Sequence, residues 1–469
     1  MRVVIADLRS TRGFVNKDTI VGGFGSRFQG FTWTTRWIER MRRLYQNIPS
    51  VHAAYLAAIF GNAGHEVVFT QGPVVEGDAG LVLTSIVDFR NELEWAETAK
   101  RRYGMRVGLF GAMATHAPEV VNGHADFIIK GEPEEAAIRM AAGESFEGIV
   151  PSRAIDNLDS LPFPAWHLLL KRRRRHHSVG RSVHATGSAF PILSSRSCPE
   201  FCTYCPHRIT APYRARSPQN VLDEIQDLYE RHGKTYVIFR DPLFTEERDR
   251  SVAIAEGLIR LQLPIQFECE TRLDDLDTDL INLLYRAGLR TITFGVESVS
   301  PETLKKVGRR PIPPTHQKEI VNHCRRLGII THGFFVFGFL DDTPDSIRAT
   351  IGYAIDLDPT IALFKVLTPY PGTPILKQLA PLIFETDLEK FDGYTLTFKH
   401  PNITVEEMRF LLGSAYARFY VRASWGRNYL GLGNHDWIRR LDDYARRHQT
   451  ANELAFLTSH ESKAEAHIR

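Results

Sequence analysis

The sequence predicts an α/β protein: a doubly wound N-terminal domain, then a partial barrel of six β/α units, then a small helical C-terminal cap. Three observations predict it. Short apolar runs alternate with segments of helical period through residues 1 to 150, the alternation resumes six times between 190 and 380, and beyond 380 helical spacing takes over. Such alternation implies parallel strands with helices on their faces, and a ligand site at the strands' carboxyl ends.

In the first domain Val3-Val-Ile-Ala-Asp7 reads as a strand. Ser50 to Ala63 puts Val51, Ala54, Tyr55, Ala58 and Ile59 at helical spacing, with Gly64 where a helix should stop. His65 to Thr70, Leu81 to Ser85, Arg106 to Phe110 and Asp126 to Lys130 are further strands, and Val87 to Tyr103 is helical. Residues 13 to 48 fit this pattern poorly. Gly22-Gly-Phe-Gly25 and the aromatic stretch Phe28 to Trp37 read as an inserted lid or packing segment, because no strand leads into the glycines and no lysine follows in phosphate-loop register.

Residues 151 to 189 form a linker, marked by the prolines of Ile155 to Trp166 and by the basic run Lys171-Arg-Arg-Arg-Arg-His-His177, read as solvated chain or as a contact for an anionic partner. From 190 the strands are Pro191 to Arg196, Thr235 to Arg240, Ile265 to Thr271, Thr291 to Ser298, Ile330 to Phe339 and Ile361 to Leu367. Ser217-Pro218 opens a helix whose Val221, Leu222, Ile225, Leu228 and Tyr229 share a face, and Gly233 closes it. Six units cannot be assumed to close as eight do, so the expectation is an open barrel with its site at the strands' carboxyl ends. Residues 381 to 469 are the cap, with Met408, Leu411, Leu412, Ala415 and Phe419 on one side of a helix from Glu406 to Arg422 and a polar tail from about Thr458. Tyr394 and His400 could meet a substrate, although core or surface roles suit them better.

Cys198, Cys202 and Cys205 form a C-x3-C-x2-C triplet, and the chain has five cysteines in all. Three thiolates at that spacing can converge on one inorganic centre. A [4Fe-4S] cluster usually takes four thiolates, so three leave one iron open to a further ligand. His207 keeps a tetrahedral Cys3His zinc site open as an alternative, and with it a zinc-stabilised binding protein. Cys269 and Cys324 read as packed thiols. With so few cysteines there is no disulfide framework, and the expected compartment is reducing.

The triplet resembles that of the radical SAM superfamily, whose cluster binds S-adenosylmethionine (SAM) through its amino and carboxylate groups and cleaves it reductively. The resemblance extends through Phe239-Arg-Asp-Pro-Leu-Phe-Thr245, Glu268-Cys-Glu-Thr-Arg272, Gly295-Val-Glu-Ser298 and Thr368 to Pro374. It implies Cys198, Cys202 and Cys205 as cluster ligands, Tyr204 near adenine, Asp241 at the SAM amino group, Arg272 at its carboxylate, Glu270 at the ribose, and Glu297 on the same side. On the residues alone, Glu268, Glu270 and Arg272 alternate with Cys269, so three charges share one face of a buried strand, which is costly unless they meet a polar ligand or one another.

The N-terminal domain is similar to the cobalamin-binding domain of one branch of that superfamily, which includes class B methyltransferases and anaerobic magnesium-protoporphyrin ester cyclases. The match runs through Pro49 to Ala58, Ala63 to Val67, Phe110 to Glu119 and Lys130-Gly-Glu-Pro-Glu134. Small residues at the strand ends would let a planar cofactor approach the backbone, so Thr84, Ser85, Gly111, Ala112 and Met113 are the cobalamin candidates. No D-x-H-x-x-G sequence is present to ligate cobalt from below, and a domain that has lost cobalamin is the alternative.

A composition of 43% hydrophobic and 24% charged residues is ordinary for a globular enzyme, and a net charge of +3 is too small to imply nucleic acid. No run approaches the roughly 18 apolar residues of a membrane span, and the start lacks the long apolar stretch of a signal peptide, so a cytoplasmic enzyme is expected. The implied cofactors are a [4Fe-4S] cluster, SAM and cobalamin. The implied partners are a small-molecule or lipid-like substrate and a low-potential donor such as flavodoxin or ferredoxin. The implied reaction is cobalamin-dependent methylation of an unactivated carbon, with radical oxidation, cyclisation or rearrangement as the alternative.

Overall fold

A computed structural model of the chain describes residues 1–17, 23–45, 50–169, 188–233 and 235–430. The basic run 171–177 and the tail beyond 430 lie outside the described residues.

The first sheet contains β1 (Arg2–Ala6), β4 (Glu66–Thr70), β5 (Ala79–Leu83), β6 (Arg106–Phe110), β7 (Phe127–Lys130) and β8 (Gly148–Pro151). All pairs are parallel, in the order β4-β1-β5-β6-β7-β8. This is the doubly wound topology, and its order reverses between β1 and β5. The helix Val51–Asn62 is capped by the Ser50 hydroxyl, which accepts from Ala53 N at 3.3 Å. It is buried from Val51 to Phe60. Ala54 O accepts from Ala165 N, so the linker packs directly on this helix. A helix apolar all round is one enclosed on all sides. The inserted segment forms an antiparallel hairpin, β2 (Phe14–Asn16) with β3 (Ser26–Phe28), followed by the helix Trp33–Tyr45.

The second sheet runs β9 (Ser188–Ile192), β12 (Thr235–Phe239), β13 (Gln266–Thr271), β14 (Leu289–Glu297), β15 (Ile330–Phe337) and β16 (Ile361–Val366), all parallel and neighbours in sequence order. This is the expected open six-stranded barrel. In β13 to β16, buried residues facing the outer helices alternate with half-buried residues facing the lumen. The first barrel strand ends earlier than the apolar run suggests. Both carboxylate oxygens of Asp241 take up the backbone and hydroxyl of Ser194 and the backbone of Ser195, so the chain leaves the sheet there. It re-forms as β10 (Ser195–Arg196), antiparallel to β11 (Arg214–Ala215).

The C-terminal helix Val405–Tyr420 lies along β16 and against the helix Trp33–Tyr45. It opens on a capping box between Thr404 and Glu407. Among the described residues no helix is long and apolar enough to cross a membrane.

Candidate active site

The β10–β11 pair brackets Cys198, Cys202 and Cys205 at its open end. Ser197, immediately before the first cysteine, has φ of 68°, a left-handed conformation that few side chains adopt. The loop is tied to the barrel mouth. Thr203 N donates to Val307 O at 2.9 Å and Thr203 O accepts from Ile375 N at 3.1 Å. Gly308 permits this closeness, since a Cβ there would lie 2.1 Å from Phe201 O. The loop is also clamped to the first domain. Arg196 pairs with Glu132 at 3.1 Å and Glu134 at 3.0 Å, Arg214 donates to Glu132 Oε2 at 3.0 Å, and His52 stands 3.3 Å from Glu134. Against the cost of burial, Arg196 and His52 hold the Glu134 carboxyl below its usual range.

All three cysteines line one open cavity of about 360 Å³ in the barrel mouth. Burial pushes the Cys198 thiol up to about 11 and raises Cys202 and Cys205 as well. Thiols in such surroundings need a metal's positive charge to become ligands. Arg309 Nη1 lies 3.9 Å from Cys202 Sγ, while its Nη2 donates to Gly295 O at 2.6 Å and stands 3.6 Å from Glu297.

The cavity also gathers Tyr204, Glu268, Glu270, Arg272 and Glu297, so most of the residues expected around SAM meet the cysteines. The Tyr204 ring packs edge-on against Phe339 at 5.6 Å. Glu270 is paired with Arg240. Arg272 is 4% exposed and held in a fork by Asp274 at 2.9 and 2.8 Å, yet its Nη1 is buried without a hydrogen-bond partner. Glu297 ends β14 at a register shift, with φ of 67°, and folds back so that a Cβ on Gly295 would lie 2.0 Å from its Oε1. Two strained residues, Ser197 and Glu297, thus flank the cysteines. Burial raises the Glu297 carboxyl against the pull of Arg309.

Three thiols on one cavity, with an unsatisfied guanidinium nitrogen in its wall, fit a cluster and an amino-acid carboxylate. A single zinc ion is the poorer fit. Among the described residues no three His, Cys, Asp or Glu side chains converge closely enough to hold one ion, whereas a cubane spreads its ligands over separate irons.

Asp241 does not join this group. It is fully buried and spent on Ser194 and Ser195, an arrangement that sequence pattern alone cannot distinguish from ligand binding. Arg309 was not singled out from the sequence; its signal is the basic pair Arg309-Arg310 just after the helix Pro301–Lys306 that follows β14.

At the carboxyl edge of the first sheet, Thr84 donates to Phe110 O at 2.8 Å and accepts from Ala114 N, and Ser85 gives its N–H and hydroxyl to Glu92. Met113 is buried. These three serve the domain's interior, whereas Gly111 and Ala112 do line a crevice facing the barrel, with His52, His116, Glu132 and Arg196. That crevice measures about 40 Å³. Phe24 of the inserted hairpin, 2% exposed, stands 5.3 Å from both His116 and Tyr370. Lys17 reaches the β1–β5 reversal point, 2.6 Å from Glu92. The crevice is far too small for a corrin, so the residues lining it must move apart to admit one.

The barrel and its cysteine loop agree with the model of the Radical SAM superfamily, which matches residues 192–354. The two-domain architecture is similar to that of solved cobalamin-dependent radical SAM enzymes. Over 95% of this chain and 99% of the other, the structure resembles the radical SAM methyltransferase TsrM of Kitasatospora setae, solved with cobalamin and a [4Fe-4S] cluster, with a TM-score of 0.61 at 15% identity. In sequence the chain is 27% identical to an uncharacterised methyltransferase of Pyrococcus horikoshii, covering 63% of this chain and 68% of that protein. It is 25% identical to the anaerobic magnesium-protoporphyrin IX monomethyl ester cyclase of Cereibacter sphaeroides, covering 63% of this chain and 52% of that protein.

Proposed function

We propose that the protein cleaves SAM reductively at a [4Fe-4S] cluster held by Cys198, Cys202 and Cys205, and that it uses the resulting radical for cobalamin-dependent methylation of an unactivated carbon in a small molecule. The observation that carries the reading is the meeting on one cavity of the three cysteines with Arg272, whose Nη1 is buried without a hydrogen-bond partner. When bound, the cluster and SAM supply a 5'-deoxyadenosyl radical and cobalamin supplies a transferable methyl group. The chain's own residues do the rest. Arg272 Nη1 takes the SAM carboxylate, Tyr204 walls the adenine, and Glu270 and Glu297 offer acceptors to the amino and ribose groups. Arg309 places a fixed positive charge beside Cys202. The hairpin residues Asn16, Lys17, Gly25 and Ser26 roof the cavity and limit water. A low-potential protein such as flavodoxin or ferredoxin supplies the electron.

A second reading, radical oxidation or cyclisation without methyl transfer, is favoured by the narrow crevice at Gly111 and Ala112 and by the cyclase relative. The experiment is anaerobic reconstitution followed by metal analysis and product assay. About four irons and four sulfides per chain are expected. Stoichiometric zinc in their place sinks the class. Cobalt retained through gel filtration, with label passing from methyl-labelled SAM to product, supports methylation; protein that stays cobalt-free when made with abundant cobalamin selects the second reading.

A further inference from the structure

The barrel lumen has two unlike halves. On the β12–β14 side the cations lining the cavity are matched: Arg240 to Glu270, Arg272 to Asp274, Arg309 to Glu297. On the β15–β16 side the lumen residues are His332, Phe334, Val336, Leu363 and Lys365. Strand register stacks them in layers. His332 lies beside Thr293, Phe334 beside Gly295 and Leu363, and Lys365 beside Val336 at the mouth. The layers therefore run from polar through apolar to cationic.

Lys365 is half-buried, and no carboxylate among the described residues lies within ion-pair distance of it. Its ammonium sits 5.9 Å from the Phe334 ring centroid and near Gly393, where an added Cβ would stand 3.9 Å from Nζ. It acts on Glu297 only at longer range, and that carboxylate already has Arg309. At the deep end, His332 Nδ1 faces the Thr293 hydroxyl at 3.4 Å, and its Nε2 is buried without a hydrogen-bond partner. A half-buried cation without a counter-ion and a buried unsatisfied nitrogen both cost free energy that a ligand would recover.

We propose that this half of the lumen is the substrate subsite and that its ligand is a carboxylate-bearing molecule with a flat apolar body. The carboxylate meets Lys365, the body lies along Phe334 and Leu363, and a polar group reaches His332. A single ammonium matches a monoanion, and anchoring both ends fixes which C–H bond faces the SAM half. The inference rests on the radical SAM reading for its chemistry but is tested apart from it.

The test is equilibrium dialysis of the reconstituted protein under argon against 2-naphthoate, 2-naphthalenemethanol and 2-naphthyl phosphate. Naphthoate should bind more tightly than the other two. Lys365→Met should weaken naphthoate about tenfold, as loss of one charge-assisted contact implies, Lys365→Arg should retain most of the binding, and the alcohol should respond to neither. Iron content and melting temperature of each variant report that it is folded. Equal binding of alcohol and naphthoate, tighter binding of the phosphate, no binding of any probe, or an unchanged Lys365→Met variant overturns the assignment. Reductive SAM cleavage is measured separately on the unmodified protein; its absence sinks the class reading and leaves the dialysis result to stand or fall alone.

Discussion

The Tyr416 hydroxyl donates to Phe364 O at 2.9 Å and accepts from Phe364 N at 3.2 Å, so one side chain serves the edge strand β16 as a neighbouring strand would. One helical turn on, Tyr420 does the same for Ala362 at 2.8 and 3.2 Å, and Trp425 Nε1 donates to Thr360 O at 2.8 Å. A barrel of six strands has open edges, and open edges recruit other chains. Here the C-terminal helices close one.

Replacing Tyr416 with Phe leaves a buried N–H and C=O of β16 unsatisfied. The expected cost is about 1–3 kcal/mol, read as a lower midpoint in chemical denaturation, with Tyr420→Phe adding to it. No change in either variant would mean that water satisfies the edge equally well.

Cys202→Ala should abolish the brown chromophore and lower bound iron to background after anaerobic reconstitution. Cys324→Ala, at a buried position on a helix outside the barrel, should retain both. Iron retained in the first variant argues against the assigned ligand set.

Arg272→Leu removes the unsatisfied Nη1 from the cavity wall. SAM affinity measured by calorimetry should fall by about 1.5–3 kcal/mol, roughly tenfold or more. A folded variant with unchanged affinity makes Arg272 simply the partner of Asp274.

Glu132 serves Arg196 and Arg214, on either side of the cysteine loop. Glu132→Ala removes the carboxylate partner of the buried Arg214 and one of the two that hold Arg196, at a cost of about 3 kcal/mol or more. The cluster should bleach faster under chelator than in the unmodified protein, while Glu135→Ala, in the first turn of the helix Glu134–Ala141, should not differ. Equal bleaching rates would remove the clamp from the account.

Burial lowers both His332 and His116 from 6.5 to about 4. A base whose folded pKa is depressed binds its proton more readily unfolded, so stability is intact above pH 6.5 and declines as pH falls toward 4. His332→Gln should flatten the fall in melting temperature across that window. An identical slope would place the acid sensitivity elsewhere.

Much of this protein was legible in one dimension. Apolar alternation sets the order of strands and helices, and Ser217, Pro218 and Gly233 bound the helix as read, because propensity and capping act over a few neighbouring residues. The cysteine spacing and the one-sided charges of β13 are likewise local, so Glu270 and Arg272 face the lumen as the strand's two-residue period requires.

What local sequence does not reveal has a common cause. Asp241 has the composition and position of a ligand residue, and only the approach of Ser194, 47 residues away in sequence, shows that it ends a strand. The Gly-Glu-Pro-Glu stretch after β7 has a role that only the fold reveals, since Glu132 and Glu134 hold the cysteine loop through Arg196. Thr84 and Ser85 are small residues at strand ends, as a cofactor would ask, but their hydroxyls are used by Phe110 and Glu92.

The sequence by itself determined the element order, the grouping of the three cysteines and the charged barrel face, since each depends on residues a few positions apart. Only the tertiary structure decided which carboxylates are free, that Arg309 stands beside Cys202, that Tyr416 closes the barrel edge, and that Phe24 packs against both His116 and Tyr370. Those outcomes depend on side chains tens to hundreds of residues apart meeting in a water-poor interior, where an unpaired charge or hydrogen-bonding group is too costly to leave unmatched.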